Sequence, residues 1–191
     1  MKLKFKILIV FFIINVNLFG QNVSNTVKFE TVKPIGKIRI DTIDKVMNLK
    51  KIDKNNFQII YTSYFETTKY QREFKFQTGE SPNAYRIKCE FDNELLVDSV
   101  RLNFIDKLEI KLYDLDYTIF KFFYNLDYGV DEELLIFFVP EYGIIMEKPI
   151  SWPGYTKLID SENSENKKIL EKFNEIILYN SGFFRDYTKT N

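Results

Sequence analysis

Apolar and polar residues alternate through most of this chain, and a period of two is the signature of strands with one buried face. Tyr85, Ile87, Cys89 and Phe91 alternate with Arg86, Lys88, Glu90 and Asp92. Val100, Leu102 and Phe104 alternate with Arg101 and Asn103, and Leu108, Ile110 and Leu112 alternate with Lys107, Glu109 and Lys111. Phe120, Phe122, Tyr124 and Leu126 share one parity. Leu134 to Val139 is a continuous apolar run, the pattern of a strand buried on both faces.

Turn residues punctuate these runs at Lys54-Asn55-Asn56, Thr78 to Asn83, Asp92-Asn93, Tyr128-Gly129 and Trp152-Pro153-Gly154. The intervals between most runs are too short for the dozen or more residues of a parallel crossover, so antiparallel pairing is expected. Segment 42–52 fits a helix behind Thr42 or a strand, and a strand is the reading adopted. Residues 21–26 are polar and read as a flexible N-terminal arm. Near the C-terminus the period changes: Ile169, Leu170, Phe173, Ile176 and Ile177 form a helical stripe, with Ser161 or Ser164 as cap and Gly182 as stop. The expected fold is therefore mainly β. It is an antiparallel sheet, arranged as a meander, sandwich or half-barrel, with one C-terminal amphipathic helix at about 162–179 packed on it, all within a single domain over 27–191.

The N-terminus follows a different rule. Lys2, Lys4 and Lys6 precede an apolar stretch from Ile7 to Ile14, which continues through Val16, Leu18 and Phe19 to Gly20-Gln21. A positive start, a short apolar core and a small residue at the junction form a secretory signal over residues 1–20, cut between Gly20 and Gln21. Asn15 and Asn17 interrupt the apolar run short of the ~20 residues of a spanning helix, so no stable membrane anchor is expected after cleavage. No cysteine follows the junction, which argues against a lipid anchor there. With the Lys, Asn, Ile, Phe and Tyr bias, the Gly-Gln junction resembles small exported proteins of Bacteroidota-type bacteria. The resemblance rests on leader and composition alone, and implies a periplasmic or secreted product.

Charge and residue inventory exclude several kinds of chemistry. The chain has 27 basic and 27 acidic residues; loss of the three leader lysines leaves 24 against 27. A slightly acidic protein without a basic cluster is not built to grip nucleic acid or anionic lipid. Histidine is absent, which removes Ser-His-Asp and Cys-His catalysis and histidine-ligated zinc. One cysteine cannot make an internal disulfide, and Cys89 reads as a core residue. Aromatic residues make up 17% of the chain, enough to build a core by packing alone. No cofactor is expected.

Carboxylates are the remaining general acid and base groups. Asp114 and Asp116 would share a strand face, and Asp127, Asp131, Glu132 and Glu133 form an acidic turn. A glycoside hydrolase needs two carboxyls about 5–10 Å apart. Asp127, Asp131 and Glu133 could instead offer oxygen ligands to calcium, although they lack the EF-hand pattern. Ser164 and Lys167 have Ser-x-x-Lys spacing, but Ser164 is explained by helix capping.

The segment after Pro140 is the most distinctive. A Tyr142-Gly143 turn is followed by the chain's single tryptophan, Trp152, in a Trp-Pro-Gly turn before Tyr155. These aromatics could plug the end of the sheet, or Tyr142, Trp152 and Tyr155 could anchor a ligand. The leading expectation is an exported, non-enzymatic β-rich module that binds a small molecule, a glycan or a component of the cell envelope. The alternatives are a carboxylate-based hydrolase acting on glycans, and a protein–protein interaction or immunity-type protein.

Overall fold

The computed structural model describes residues 22–35, 37–91, 94–97, 99–124, 133–161 and 164–185. The strands are β1 (Asn22–Ile35), β2 (Lys37–Lys51), β3 (Asn56–Phe65), β4 (Thr68–Gln77), β5 (Asn83–Phe91), β6 (Glu94–Val97), β7 (Val100–Leu112), β8 (Leu115–Tyr124), β9 (Leu134–Val139), β10 (Gly143–Pro149) and β11 (Tyr155–Ser161). Two helices follow, α1 (Ser164–Tyr179) and α2 (Ser181–Arg185).

Every pairing is antiparallel. Around the ring the order is β1, β2, β3, β4, β5, β7, β8, β9, β10 and β11, and β11 pairs back onto β1 from Val27↔Ser161 to Val32↔Tyr155. The result is a closed ten-stranded barrel, with β6 appended to β5. This corrects the expectation of an open sheet, sandwich or half-barrel. Alternation is the same in an open sheet and a closed one; closure depends on the β1–β11 pairing, which joins residues some 125 positions apart in sequence. Segment 42–52 is strand through Lys51. Residues 22–26, which composition marked as a loose arm, belong to β1 and pair with 46–50. Polar side chains do not prevent that, because backbone groups make the ladder.

The interior is filled by rings. Phe76 stacks on Phe138 at 4.0 Å between centroids and lies 5.5 Å from Phe122, while Phe57 meets Phe138 edge-on at 5.8 Å. Outward-facing strand positions on β2 to β5 carry Asp44, Asn48, Lys50, Gln58, Glu73, Lys75 and Lys88. Ile40, Val46 and Tyr85 are exposed among them, so the outer face of these strands is mixed in polarity.

Bulges change which residues face inward. Ile87, Ile105, Ile145 and Ile159 are each the extra residue at a register shift, and a bulge reverses parity along its strand. On β7, Phe104 lies opposite inward-facing Phe122, whereas Leu108 and Ile110 lie opposite Ile119 and Tyr117 on the outer face. The single apolar parity of 100–112 thus serves both surfaces. On β5 the alternation expected to bury Tyr85 and expose Arg86 is reversed: Tyr85 is exposed and Arg86 is buried.

Helix α1 packs on the outside of the barrel over β8 to β11. Leu170, Phe173 and Ile177 are buried, Phe173 meets Tyr117 and Tyr142 edge-on, and Asn174 Nδ2 donates to the Leu158 carbonyl at 2.8 Å. This accounts for the all-apolar β9: Ile136 and Phe138 face the interior, and Leu135, Phe137 and Val139 face outward toward the helices. Asn180 Oδ1 accepts the Phe183 N–H at 3.1 Å. It therefore caps a second short helix that contains Gly182, the residue expected to be a stop. Phe183 and Phe184 of this helix pack on Phe137.

Candidate functional site

Two features lie at one end of the barrel, where β10 runs out toward β11 and the β1–β2 hairpin turns. The first is a pocket of about 400 Å3 on the rim, walled by Val32, Pro149, Trp152, Pro153, Tyr155 and Thr156. Its shape follows from the Trp-Pro-Gly turn. Gly154 has φ +125°, and a Cβ there would stand 2.3 Å from the Val32 carbonyl oxygen. Only glycine lets the turn lie this close to β1. Trp152 is left 54% exposed, an indole held on a constrained turn and accessible from solvent. Tyr155 packs edge-on against Phe184, so α2 buttresses that wall.

Of the three aromatics singled out from the sequence, the fold brings Trp152 and Tyr155 into one pocket. Tyr142 lies at the opposite end, against Tyr117 and Phe173. Burial, followed by the Tyr117 hydroxyl, pushes the Tyr142 hydroxyl above its ordinary pKa. Cys89 is buried, and its S–H donates to Tyr70 Oη at 3.3 Å. Glu133 precedes β9 and its carbonyl accepts the Ile150 N–H at 3.0 Å. Asp127, Asp131, Gly20 and Gln21 lie outside the described residues. Asp114 sits on the β7–β8 turn at φ 66° with its side chain in solvent. No group of three or more metal-ligating side chains occurs among the described residues.

No protein-family model, curated protein or solved structure matches the chain.

The second feature is a charged cluster inside the barrel, built from Lys45, Arg72, Arg86 and Glu147. Arg72 on β4 and Glu147 on β10 form an ion pair: Nη2 donates to Oε2 at 3.0 Å, and Nη1 lies 2.9 Å from Oε1 without hydrogen-bond alignment. Burial pushes the Glu147 carboxyl up, but Arg72, then Lys45, more than offset it and hold the group below the usual carboxylate range. Burial likewise opposes the Arg72 charge, and Glu147 outweighs it. Lys45 Nζ lies 4.5 Å from the Phe29 ring centroid. Its ammonium is lowered to about 8, first by burial and then by Arg72, against the pull of Glu147. Arg86 lies 4.5 Å over the Tyr124 ring.

Sequence reading assigned none of these four a role, although two carried a signal. Arg72 shares its parity with Tyr70, Phe74 and Phe76, and Lys45 shares its with Ile43, Met47 and Leu49. A charge on an otherwise apolar strand face is buried unless the strand ends before it. Arg86 immediately precedes the bulge at Ile87 and Glu147 follows the one at Ile145, so parity could not place them.

Proposed function

We propose that this chain is an exported, non-enzymatic binding module whose ligand, a small molecule or a sugar ring, stacks on Trp152 in the rim pocket. The observation that carries the reading is the half-exposed indole in a largely apolar recess that Gly154 fixes against β1. Rigid aromatics supply contact area at low entropic cost, and pockets of several hundred Å3 are the size that small ligands occupy. Export is supported by the order of charge, apolar core and Gly20-Gln21 junction at the N-terminus, and places the module in the periplasm or outside the cell. The slightly acidic balance after loss of the leader suits partners other than nucleic acid. Glu147 is held ionised by its cationic neighbours, a state suited to ion pairing and not to the general acid of a glycosidase.

Because Trp152 is the only tryptophan, intrinsic fluorescence reports on this pocket. Titration with soluble oligosaccharides and with short aromatic and aliphatic alcohols should give a saturable shift for at least one class. Trp152→Phe should retain that ligand in a competition assay, and Trp152→Ala should weaken it. Saturable binding that is unchanged in Trp152→Ala would place the ligand elsewhere, and silence across all three classes would reject the pocket. N-terminal sequencing of protein recovered from the native host should begin at or next to Gln21; an intact Met1 start would reject cleavage and export by this leader.

A further inference from the structure

We propose that Arg86 is the docking group of an oxyanion site inside the barrel, one that receives the carboxylate or phosphate of a small molecule. The inference is independent of the rim pocket. Arg86 is 7% exposed, and its Nε and Nη2 are buried with no hydrogen-bond acceptor among the described residues. These two nitrogens form one edge of the guanidinium, the edge whose parallel N–H bonds take both oxygens of a carboxylate or phosphate at once. Leaving a charged donor pair buried and unmatched is expensive, and such groups in folded proteins have partners.

Among the described residues, no carboxylate of the cluster is free for Arg86. Glu147 is committed to Arg72, with one hydrogen bond and a second close contact. Asp41, on the same face of β2 as Lys45, is engaged by Arg39 at 3.0 Å and Lys33 at 3.9 Å. The Arg72–Glu147 pair is neutral, so the cluster holds the excess positive charge of Lys45 and Arg86. Of its hydroxyl and thiol neighbours, Cys89 donates its S–H to Tyr70 Oη. A monoanion on the free edge of Arg86 would match the geometry and offset the Arg86 charge. The face of Arg86 already rests on Tyr124, which fixes the plane of the fork and leaves its edge as the binding element.

The test uses the mature chain, with sodium acetate, sodium benzoate and inorganic phosphate as probes and sodium chloride at equal ionic strength as control. Nitrogen-15 spectra of the arginine Nε–H groups report the site directly. One resonance should shift saturably with a carboxylate, with phosphate, or with both, and be absent from Arg86→Lys. Calorimetric affinity for the active probe should fall about tenfold or more in Arg86→Lys, which keeps the charge and loses the fork. Arg86→Gln serves as the second variant. Saturation by carboxylates alone identifies an organic acid, and saturation by phosphate alone identifies a phosphorylated ligand. If no probe saturates the wild-type spectrum beyond the chloride control, or if Arg86→Lys and Arg86→Gln bind as tightly as wild type, the proposal is overturned.

Discussion

Arg72 and Glu147 meet at 2.9–3.0 Å across the barrel, from strands that stand five steps apart in either direction around the ten-stranded ring. An ion pair across the diameter ties opposite walls together. It also makes each partner dependent on the other. Glu147→Gln should cost about 3 kcal/mol or more in urea unfolding, because it strands the Arg72 charge beside Lys45 and Arg86. The pair Arg72→Met/Glu147→Leu should cost less than the sum of its single changes. Additive losses would show that the two groups are not energetically coupled.

Gly143 and Tyr61 form a second cross-barrel contact. Tyr61 Oη accepts the Ile144 N–H at 2.9 Å, and a Cβ on Gly143 would stand 2.9 Å from that oxygen and 3.0 Å from Met47 Sδ, on a backbone at φ +83°. Gly143→Ala should therefore destabilise by about 1–3 kcal/mol from backbone strain and further from the clash. The penalty should shrink in a Tyr61→Phe background, where the oxygen is gone. An equal penalty in both backgrounds would assign the whole effect to the backbone.

Lys45 predicts an unusual alkaline profile. Its folded pKa of about 8 lies below the ordinary lysine value of 10.5, so between those values the unfolded chain holds a proton that the folded chain has released. The contribution of Lys45 to stability then rises with pH from about 8 toward 10. Tyr61 and Tyr70 act in the opposite sense above about pH 10: burial raises both hydroxyls, Tyr70 to about 12, and folding keeps protons that the unfolded chain loses. Thermal midpoints measured from pH 7.5 to 9.5 should climb in wild type relative to Lys45→Met. Parallel curves for the two proteins would refute the assignment.

Phe173 tests how far the barrel depends on its outer helix. It is fully buried between α1 and the rings of Tyr117 and Tyr142. Phe173→Ala should cost about 3–5 kcal/mol by cavity formation, with the greatest loss of amide protection in α1 and in the outer faces of β8 and β9. A change under 1 kcal/mol would mean that the helix is only loosely docked.

The candidate site was partly legible. Trp-Pro-Gly announced a constrained turn with an aromatic on it, and the structure joins Trp152 to Tyr155 there. Tyr142 is close to them in sequence, but a strand separates the two ends, and the chain carries Tyr142 to the far side of the barrel. Arg86 was unreadable for a more basic reason. Its neighbours alternate as if Tyr85 faced inward, and only the extra residue at Ile87, matched against β4, shows that the parity is reversed.

By itself the sequence determined the β-rich character, the antiparallel pairing, the doubly buried β9 and the C-terminal helical stripe. Each of these is a local matter of period, turn residues and interval length, and local patterns are written in consecutive residues. Tertiary structure alone decided that the sheet closes, that α1 lies outside the barrel, that four bulges reverse facing along their strands, and that Lys45, Arg72, Arg86 and Glu147 converge. Those outcomes depend on pairing between distant strands, above all β1 with β11 and β4 with β5. Alternation specifies that each strand has an inner and an outer face; the register of its partners determines which residues occupy them.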